Sequence, residues 1–239
     1  MKRILITGAN RGLGLEITRQ YLDRGDMVFA TARQLEAATE LQQLKQQYAD
    51  RLHLLTLDLT DEASIADSQQ AVRAHTDSLD ILVNNAGVYP EGNPDKVDNQ
   101  RLGQLGFEDA LYAMRSNAIG PLLVTQAFLP LLKASSQGRI ISLSSGLGSL
   151  TWKASGNPYH YSASKAALNM YMRSLAAEVG NQSLITVVVD PGWIRTGMGG
   201  EAASIAPHDS ARGILKLTDQ LHTEDNGCFL TWQGQPVPW

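Results

Sequence analysis

Arg3-Ile-Leu-Ile-Thr-Gly-Ala-Asn-Arg-Gly-Leu-Gly14 decides the fold of this 239-residue chain. A short apolar run ends in a turn with glycines at 8, 12 and 14, and helical periodicity follows from Gly12 to Arg24. Strand, glycine turn and helix in that order place free backbone N–H groups at the helix start, where an anion can bind. The spacing G-x3-G-x-G differs from the G-x-G-x-x-G of the usual dinucleotide fingerprint. The physical role can be the same, because glycine lets the backbone turn sharply and approach a pyrophosphate.

Outward from this unit, the same rhythm repeats. Strand-like runs fall at Arg3–Thr7, Met27–Thr31, Leu52–Thr56, Ile81–Val83, Arg139–Leu143, Ile185–Val189 and Phe229–Trp232. Helical periodicity fills Gly12–Arg24, Leu35–Tyr48, Glu62–His75, Phe107–Lys133, Tyr161–Val179 and His208–Leu221. Near-continuous apolar strands separated by helices predict a seven-stranded, mainly parallel sheet covered on both faces. No repeat, low-complexity tract or linker divides the chain, so residues 1–239 read as one doubly wound α/β domain.

Composition narrows the function classes. At 43% apolar and 18% charged residues the chain has a core to bury and no signature of disorder. A net charge of -4 argues against nucleic acid or an anionic membrane as partner. Cys228 is the single cysteine, which excludes an internal disulfide and suits a reducing compartment. Met1–Thr7 starts like a signal peptide, yet its apolar run ends after three residues. The tract from Ile119 to Leu132 is interrupted by Thr125, Gln126 and Pro130. A soluble, cytoplasmic protein is the expectation. The histidines at 53, 75, 160, 208 and 222 show no metal-ligand spacing, and no G-x-S-x-G elbow is present.

Two segments break the rhythm: Pro90 to Gly106, and Gly197 to Pro207. Both follow strand carboxyl ends, where open α/β sheets bind ligands, so they read as a pocket rim and a lid, or as two ordinary surface loops. The second strand ends in Ala30-Thr-Ala-Arg33, without the acid that would bind a ribose 2′-hydroxyl. Arg33 and Arg11 instead offer guanidinium groups for a 2′-phosphate, which points to NADP(H). Asp58 follows the third strand, as an adenine acceptor or as an acid near a helix start. Asn84-Asn-Ala-Gly87 follows the fourth: the asparagines can tie strand ends together while Ala86 and Gly87 let a cofactor lie close.

Tyr161-Ser-Ala-Ser-Lys165 puts a phenol and an ammonium four apart, on one helix face. A nearby ammonium favours the phenolate, so the spacing predicts a lowered tyrosine pKa and a usable proton donor and acceptor. With Thr7-Gly-x3-Gly-x-Gly14, Asn84-Asn-Ala-Gly87, Asn117, Ser144-Ser145 and Pro191-Gly192, the chain resembles the short-chain dehydrogenase/reductase family along its whole length. Its closing segments, Asp190–Thr196 and Gln233–Trp239, are similar to the C-factor-like branch that includes carbonyl reductases.

The resemblance implies a Rossmann fold and NADPH-dependent reduction of an aldehyde or ketone, with a nucleotide-binding sensor or signalling protein as the alternative. It assigns Tyr161 as general acid, Lys165 to the nicotinamide ribose, Ser145 to the substrate oxygen and Asn117 to an ordered water. It implies cofactor contacts from Gly8, Asn10, Arg11, Gly12, Leu13, Gly14, Arg33, Asp58, Leu59, Asn85, Ala86, Gly87, Tyr161, Lys165, Pro191, Gly192, Ile194 and Thr196. A homodimer or homotetramer packed through the helices of Asn117 and Tyr161 is also implied. The family's serine usually lies about a dozen residues before the tyrosine, but here the separation is sixteen. Trp152–Pro158 would hold the extra residues as a loop by the substrate, and Ser144 is the alternative serine. Trp152 and Trp193 read equally as substrate-lining or as core aromatics.

Overall fold

A computed structural model describes residues 1–89, 101–179 and 184–239. Its seven strands are β1 (Arg3–Ile6), β2 (Met27–Ala32), β3 (Leu52–Thr56), β4 (Ile81–Asn84), β5 (Gly138–Leu143), β6 (Leu184–Asp190) and β7 (Phe229–Thr231). They form one sheet in the order β3-β2-β1-β4-β5-β6-β7, and every neighbouring pair is parallel. The chain winds outward from β1 in one direction and from β4 in the other, so the strand order reverses between β1 and β4. The doubly wound Rossmann fold expected from the alternation is the fold adopted.

The helices are α1 (Gly12–Asp23), α2 (Thr39–Gln47), α3 (Glu62–Arg73), α4 (Phe107–Met114), α5 (Gly120–Lys133), α6 (Tyr159–Val179) and α7 (Pro207–Gln220). Side chains alternate across each strand, and the core divides accordingly. Ile4, Ile6, Val28 and Ala30 face α1, α2 and α7, where Leu15, Ile17, Leu41 and Ile214 pack. Leu5, Phe29, Leu82 and Ile140 face α3, α5 and α6, meeting Ile65, Val124, Phe128, Leu168 and Met172.

Two helical expectations change. The segment Leu35–Tyr48 is helical only from Thr39, since Leu35 closes a turn by accepting from the Ala38 N–H at 3.0 Å. The segment Phe107–Lys133 is two α-helices joined by a π-helical turn, Arg115–Ile119. Apolar periodicity alone does not register that one-residue expansion. Pro90, Gly92 and Pro94 of the proposed pocket rim lie outside the described residues. Among the described residues, no helix is long and apolar enough to cross a membrane.

Candidate active site

The site lies at the carboxyl ends of the strands, beside the reversal of strand order, where such sheets leave a crevice. Thr7 directly follows β1, and its hydroxyl accepts from the backbone N–H groups of Asn85 and Ala86, each at 3.0 Å. The Asn85 amide donates back to the carbonyls of Thr7 and Gly8 at 2.8 and 2.9 Å. These bonds fasten the glycine turn to the loop after β4. Close approach is why glycine is needed: a Cβ on Gly8, which sits at φ 64°, would lie 2.9 Å from the Ala86 Cα. On Gly14 it would drive into the Asn85 amide and the Gly8 carbonyl.

Arg11 precedes α1 in extended conformation and makes no side-chain cap bond, leaving the helix start open to an anion. The Ala9 N–H donates to the Thr31 carbonyl at 2.8 Å. That bond brings the two loops carrying Arg11 and Arg33 side by side, and both arginines are exposed. Asp58 accepts from the N–H and hydroxyl of Thr60 through one oxygen, at 2.8 and 2.7 Å. The cap of α3 is Asp61 instead, accepting from Ala63 at 3.0 Å. Leu59 is buried, with its carbonyl against Gly120 at the start of α5. Asn10 is half-buried in the glycine turn and Leu13 is buried at the start of α1.

Across the crevice, α6 presents Tyr161 and Lys165, both buried. The Ser145 and Tyr161 side chains are hydrogen-bonded. Ser144 is instead held inside the fold, donating to the Asn169 amide oxygen at 2.6 Å. The structure therefore sets Ser145, rather than Ser144, against the phenol. Lys165 Nζ donates to the Leu143 carbonyl at 2.9 Å and lies 5.8 Å from the centre of the Tyr161 ring. Asn117 stands on the π-helical turn. It accepts from the Val88 N–H at 2.7 Å and donates to the Val88 carbonyl and the Ser164 hydroxyl at 2.8 and 3.0 Å. A Cβ on Gly87 would be 3.2 Å from Asn117 Oδ1 and 3.5 Å from Lys165 Nζ, so the missing side chain keeps that space clear.

The electrostatics depart from the expectation of a lowered tyrosine pKa. Burial pushes the Tyr161 phenol up; the Ser145 hydrogen bond opposes this, and the nearby Asp190 and Tyr89 add to it. The Lys165 ammonium is hydrogen-bonded to the Leu143 carbonyl. Burial also drives Lys165 down to about 8. At neutral pH the Tyr161 phenol is thus protonated.

The loop after β6 closes the other side. Gly192, at φ 79°, follows Pro191 and takes the chain past Ile205, while Ile194 is buried and bridged to Ile205. Thr196 rests on the glycine turn, its methyl 3.3 Å from where a Gly12 Cβ would stand. The resulting cradle of glycine backbone, open helix start and two exposed arginines on adjacent loops fits a phosphorylated dinucleotide.

The sequence pattern of the short chain dehydrogenase family matches residues 2–205. The chain belongs to that family. An oxidoreductase of Schizosaccharomyces pombe is 32% identical over 261 residues, covering 100% of this chain and 98% of its own. The C-signal protein of Myxococcus xanthus is 38% identical over 169 residues, 71% of this chain and 98% of its own. The NADPH-bound carbonyl reductase from chicken fatty liver superposes with a TM-score of 0.90 at 33% identity, over 100% of this chain and 99% of its own. As a short-chain dehydrogenase, the protein is an oxidoreductase of CH–OH and C=O groups that works with a nicotinamide cofactor.

Several features of this short-chain dehydrogenase escape the sequence. Tyr89 packs against Tyr161 with ring centres 5.0 Å apart and ring planes tilted by 40°, and its only sequence signal is an aromatic two residues after Gly87. Lys153 fastens the longer loop to the start of α6, donating to the Asn157 and Pro158 carbonyls and the Ser162 hydroxyl at 3.1, 3.3 and 3.0 Å. Trp152 and Trp193 are half exposed, which removes them from the core. Among the described residues no group of three or more metal-ligating side chains occurs.

Proposed function

We propose that the protein reduces small, largely apolar aldehydes or ketones with NADPH, reversibly, with Tyr161 as the proton donor. The observation that carries this reading is a buried, protonated Tyr161 hydrogen-bonded to Ser145 in the crevice that the glycine turn opens. The bound cofactor supplies a hydride to the carbonyl carbon. Ser145 and Tyr161 hold the carbonyl oxygen between two hydroxyls, and Tyr161 gives it a proton as negative charge develops. Lys165 and Asn117 flank the space left by Gly87, where a ribose hydroxyl or a water can meet them. Gly8, Gly12 and Gly14 admit the pyrophosphate to the start of α1, and Arg11 and Arg33 hold the 2′-phosphate. Asp58, Leu59, Asn85, Ala86, Pro191, Gly192, Ile194 and Thr196 line the rest of the cofactor path.

The NADPH in the chicken carbonyl reductase structure supports this choice of cofactor. Around the reacting carbon, Leu147, Trp152, Trp193 and Met198 offer apolar surface. Arg195 is exposed and donates to the Ala203 carbonyl at 3.2 Å, so it does not serve as a clamp for an anionic substrate. Exposed Phe107, Tyr112 and Met170 on α4 and α6 support a homodimer or homotetramer packed through those helices.

The C-signal relative keeps a signalling role with little turnover in view. Steady-state NADPH oxidation with a panel of aldehydes and ketones tests the two readings. Turnover in the native protein and its near-complete loss in Tyr161→Phe, with NADPH affinity retained, is the expected result. Binding of NADPH without turnover of any carbonyl would favour the signalling role.

A further inference from the structure

The segment Gln233–Trp239 follows β7 and folds back along it. The Val237 N–H donates to the Phe229 carbonyl at 2.8 Å, and Leu230 forms an antiparallel bridge with Pro236. Pro238 and Trp239 then reach the loop after β5. The Pro238 carbonyl accepts from the Ser149 hydroxyl at 2.6 Å, across 89 residues of sequence. The Trp239 main-chain oxygen accepts from the N–H and the hydroxyl of Thr151 at 3.0 and 2.7 Å. The Trp239 ring packs against Phe229 with centres 5.5 Å apart, and the Arg173 guanidinium of α6 lies 4.8 Å from its centre. An aromatic anchor and three hydrogen bonds make these two residues a strap across the loop.

That loop carries Ser145, the partner of Tyr161. Ser145 accepts from the Leu147 N–H at 3.1 Å and heads a single 3-10 turn, Gly146–Gly148. The turn lies close on α6: the Gly148 carbonyl accepts from the Asn169 amide at 3.2 Å, and a Cβ on Gly148 would stand 2.9 Å from the Lys165 Cβ. Past the turn, buried Ser149 works in two directions, donating to Pro238 and accepting from the Trp152 N–H at 3.2 Å. The chain around Ser145 is therefore held at both ends. Ser144 is fixed by its N–H to the Val189 carbonyl and its hydroxyl to Asn169, at 2.8 and 2.6 Å. Ser149 and Thr151 are fixed by the strap. Leu147, Leu150 and Thr151 are exposed, so this far end has little apolar packing of its own to hold it.

We propose that Trp239 and Ser149 are positioning residues for the reaction: the strap of Pro238 and Trp239, gripping the loop through Ser149 and Thr151, holds the Ser145 hydroxyl at Tyr161. Two hydroxyls can stabilise a developing oxyanion only when both stand in place before it forms, so a loosened loop costs rate rather than affinity. The strap bears on Ser149, Thr151, Phe229 and Arg173, none of which lines the proposed cofactor path. The inference rests on the carbonyl-reductase reading and adds to it the element that sets Ser145.

The test compares single-turnover NADPH oxidation by an apolar ketone, followed by stopped flow, with NADPH affinity from fluorescence titration. It uses the native protein, Trp239→Ala, Trp239→Phe and Ser149→Ala, and the same three changes made on Ser145→Ala. Trp239→Ala and Ser149→Ala should slow the single turnover about tenfold while NADPH affinity stays within about twofold. Trp239→Phe keeps a ring against Phe229 and should hold the rate within about threefold of native. On Ser145→Ala, Trp239→Ala and Ser149→Ala should cost less than about twofold more, because their effect passes through a hydroxyl already removed. Ser149→Ala deletes one oxygen and decides the question even where Trp239→Ala fails to fold. Native rates in the variants, a loss that recurs in full on Ser145→Ala, or a matching loss of NADPH affinity overturns the strap's role, while turnover by the native protein upholds the reductase reading. A native protein that binds NADPH and turns over no ketone overturns both.

Discussion

Replacing Lys165 with Met in the cofactor-free protein should make it more stable at neutral pH, and the gain should fade as the pH rises. Lys165 is buried, and desolvation lowers its pKa from 10.5 to about 8. Below about pH 8 both folded and unfolded chains carry the ammonium, and the folded state bears its full cost. Between about 8 and 10.5 the folded state releases the proton first, so the unfolded state binds more protons and stability rises with pH. Above 10.5 both states are neutral and the cost has disappeared.

Integrating between these pKa values gives a penalty of about 3 kcal/mol at pH 7 and about 1 kcal/mol at pH 10. Methionine retains the apolar stem and removes the charge, but it leaves the Leu143 carbonyl without its donor, a loss of about 1 kcal/mol. The variant should thus gain about 2 kcal/mol at pH 7 and nothing measurable at pH 10. For a chain of this length that gain raises the melting temperature by about 4–8 °C. Guanidinium unfolding followed by tryptophan fluorescence, for both proteins across pH 7 to 10, measures the difference directly. A gap that does not change with pH would show that the Lys165 ammonium is not desolvated, and the reasoning would fail.

Three further outcomes are expected. Ala32 is buried and cannot accept an acid cheaply, so the test of cofactor choice belongs at exposed Arg33. Arg33→Asp should lose about 1.5–3 kcal/mol of NADPH affinity and shift preference toward NADH, and equal use of both cofactors by the native protein would sink the phosphate-pairing argument. Gly14→Ala pushes a methyl into Asn85 and the Gly8 carbonyl; it should weaken NADPH binding at least tenfold by calorimetry and cost about 1–3 kcal/mol of stability, whereas unchanged affinity would contradict the close-approach reading. Thr7→Val removes the hydroxyl that gathers the Asn85 and Ala86 N–H groups, and should cost about 1–3 kcal/mol in chemical unfolding.

Much of this protein is present in its one-dimensional pattern. Near-continuous apolar runs such as Ile4–Ile6 and Val187–Val189 are legible because a parallel strand buried on both faces needs apolar side chains at every position. The glycine turn is legible for a similar reason, since the close approach of Gly8 and Gly14 to Asn85 and Ala86 tolerates no side chain. Tyr161 and Lys165 are local too, one helical turn apart on α6.

The tertiary structure decides whatever depends on which separate segments meet. It turns Lys165 toward Leu143 and buries Tyr161, so desolvation outweighs the charge effect that spacing alone suggests. Which of Ser144 and Ser145 meets Asn169 and which meets Tyr161 is set by packing, and adjacent serines carry no sign of that. The π-helical turn at Asn117 and the tilted contact of the Tyr89 ring with Tyr161 have the same origin. Sequence records periodicity and local spacing well because strands and helices are local. Burial and pKa are sums over segments far apart in the chain, and they exist only once the sheet has brought those segments together.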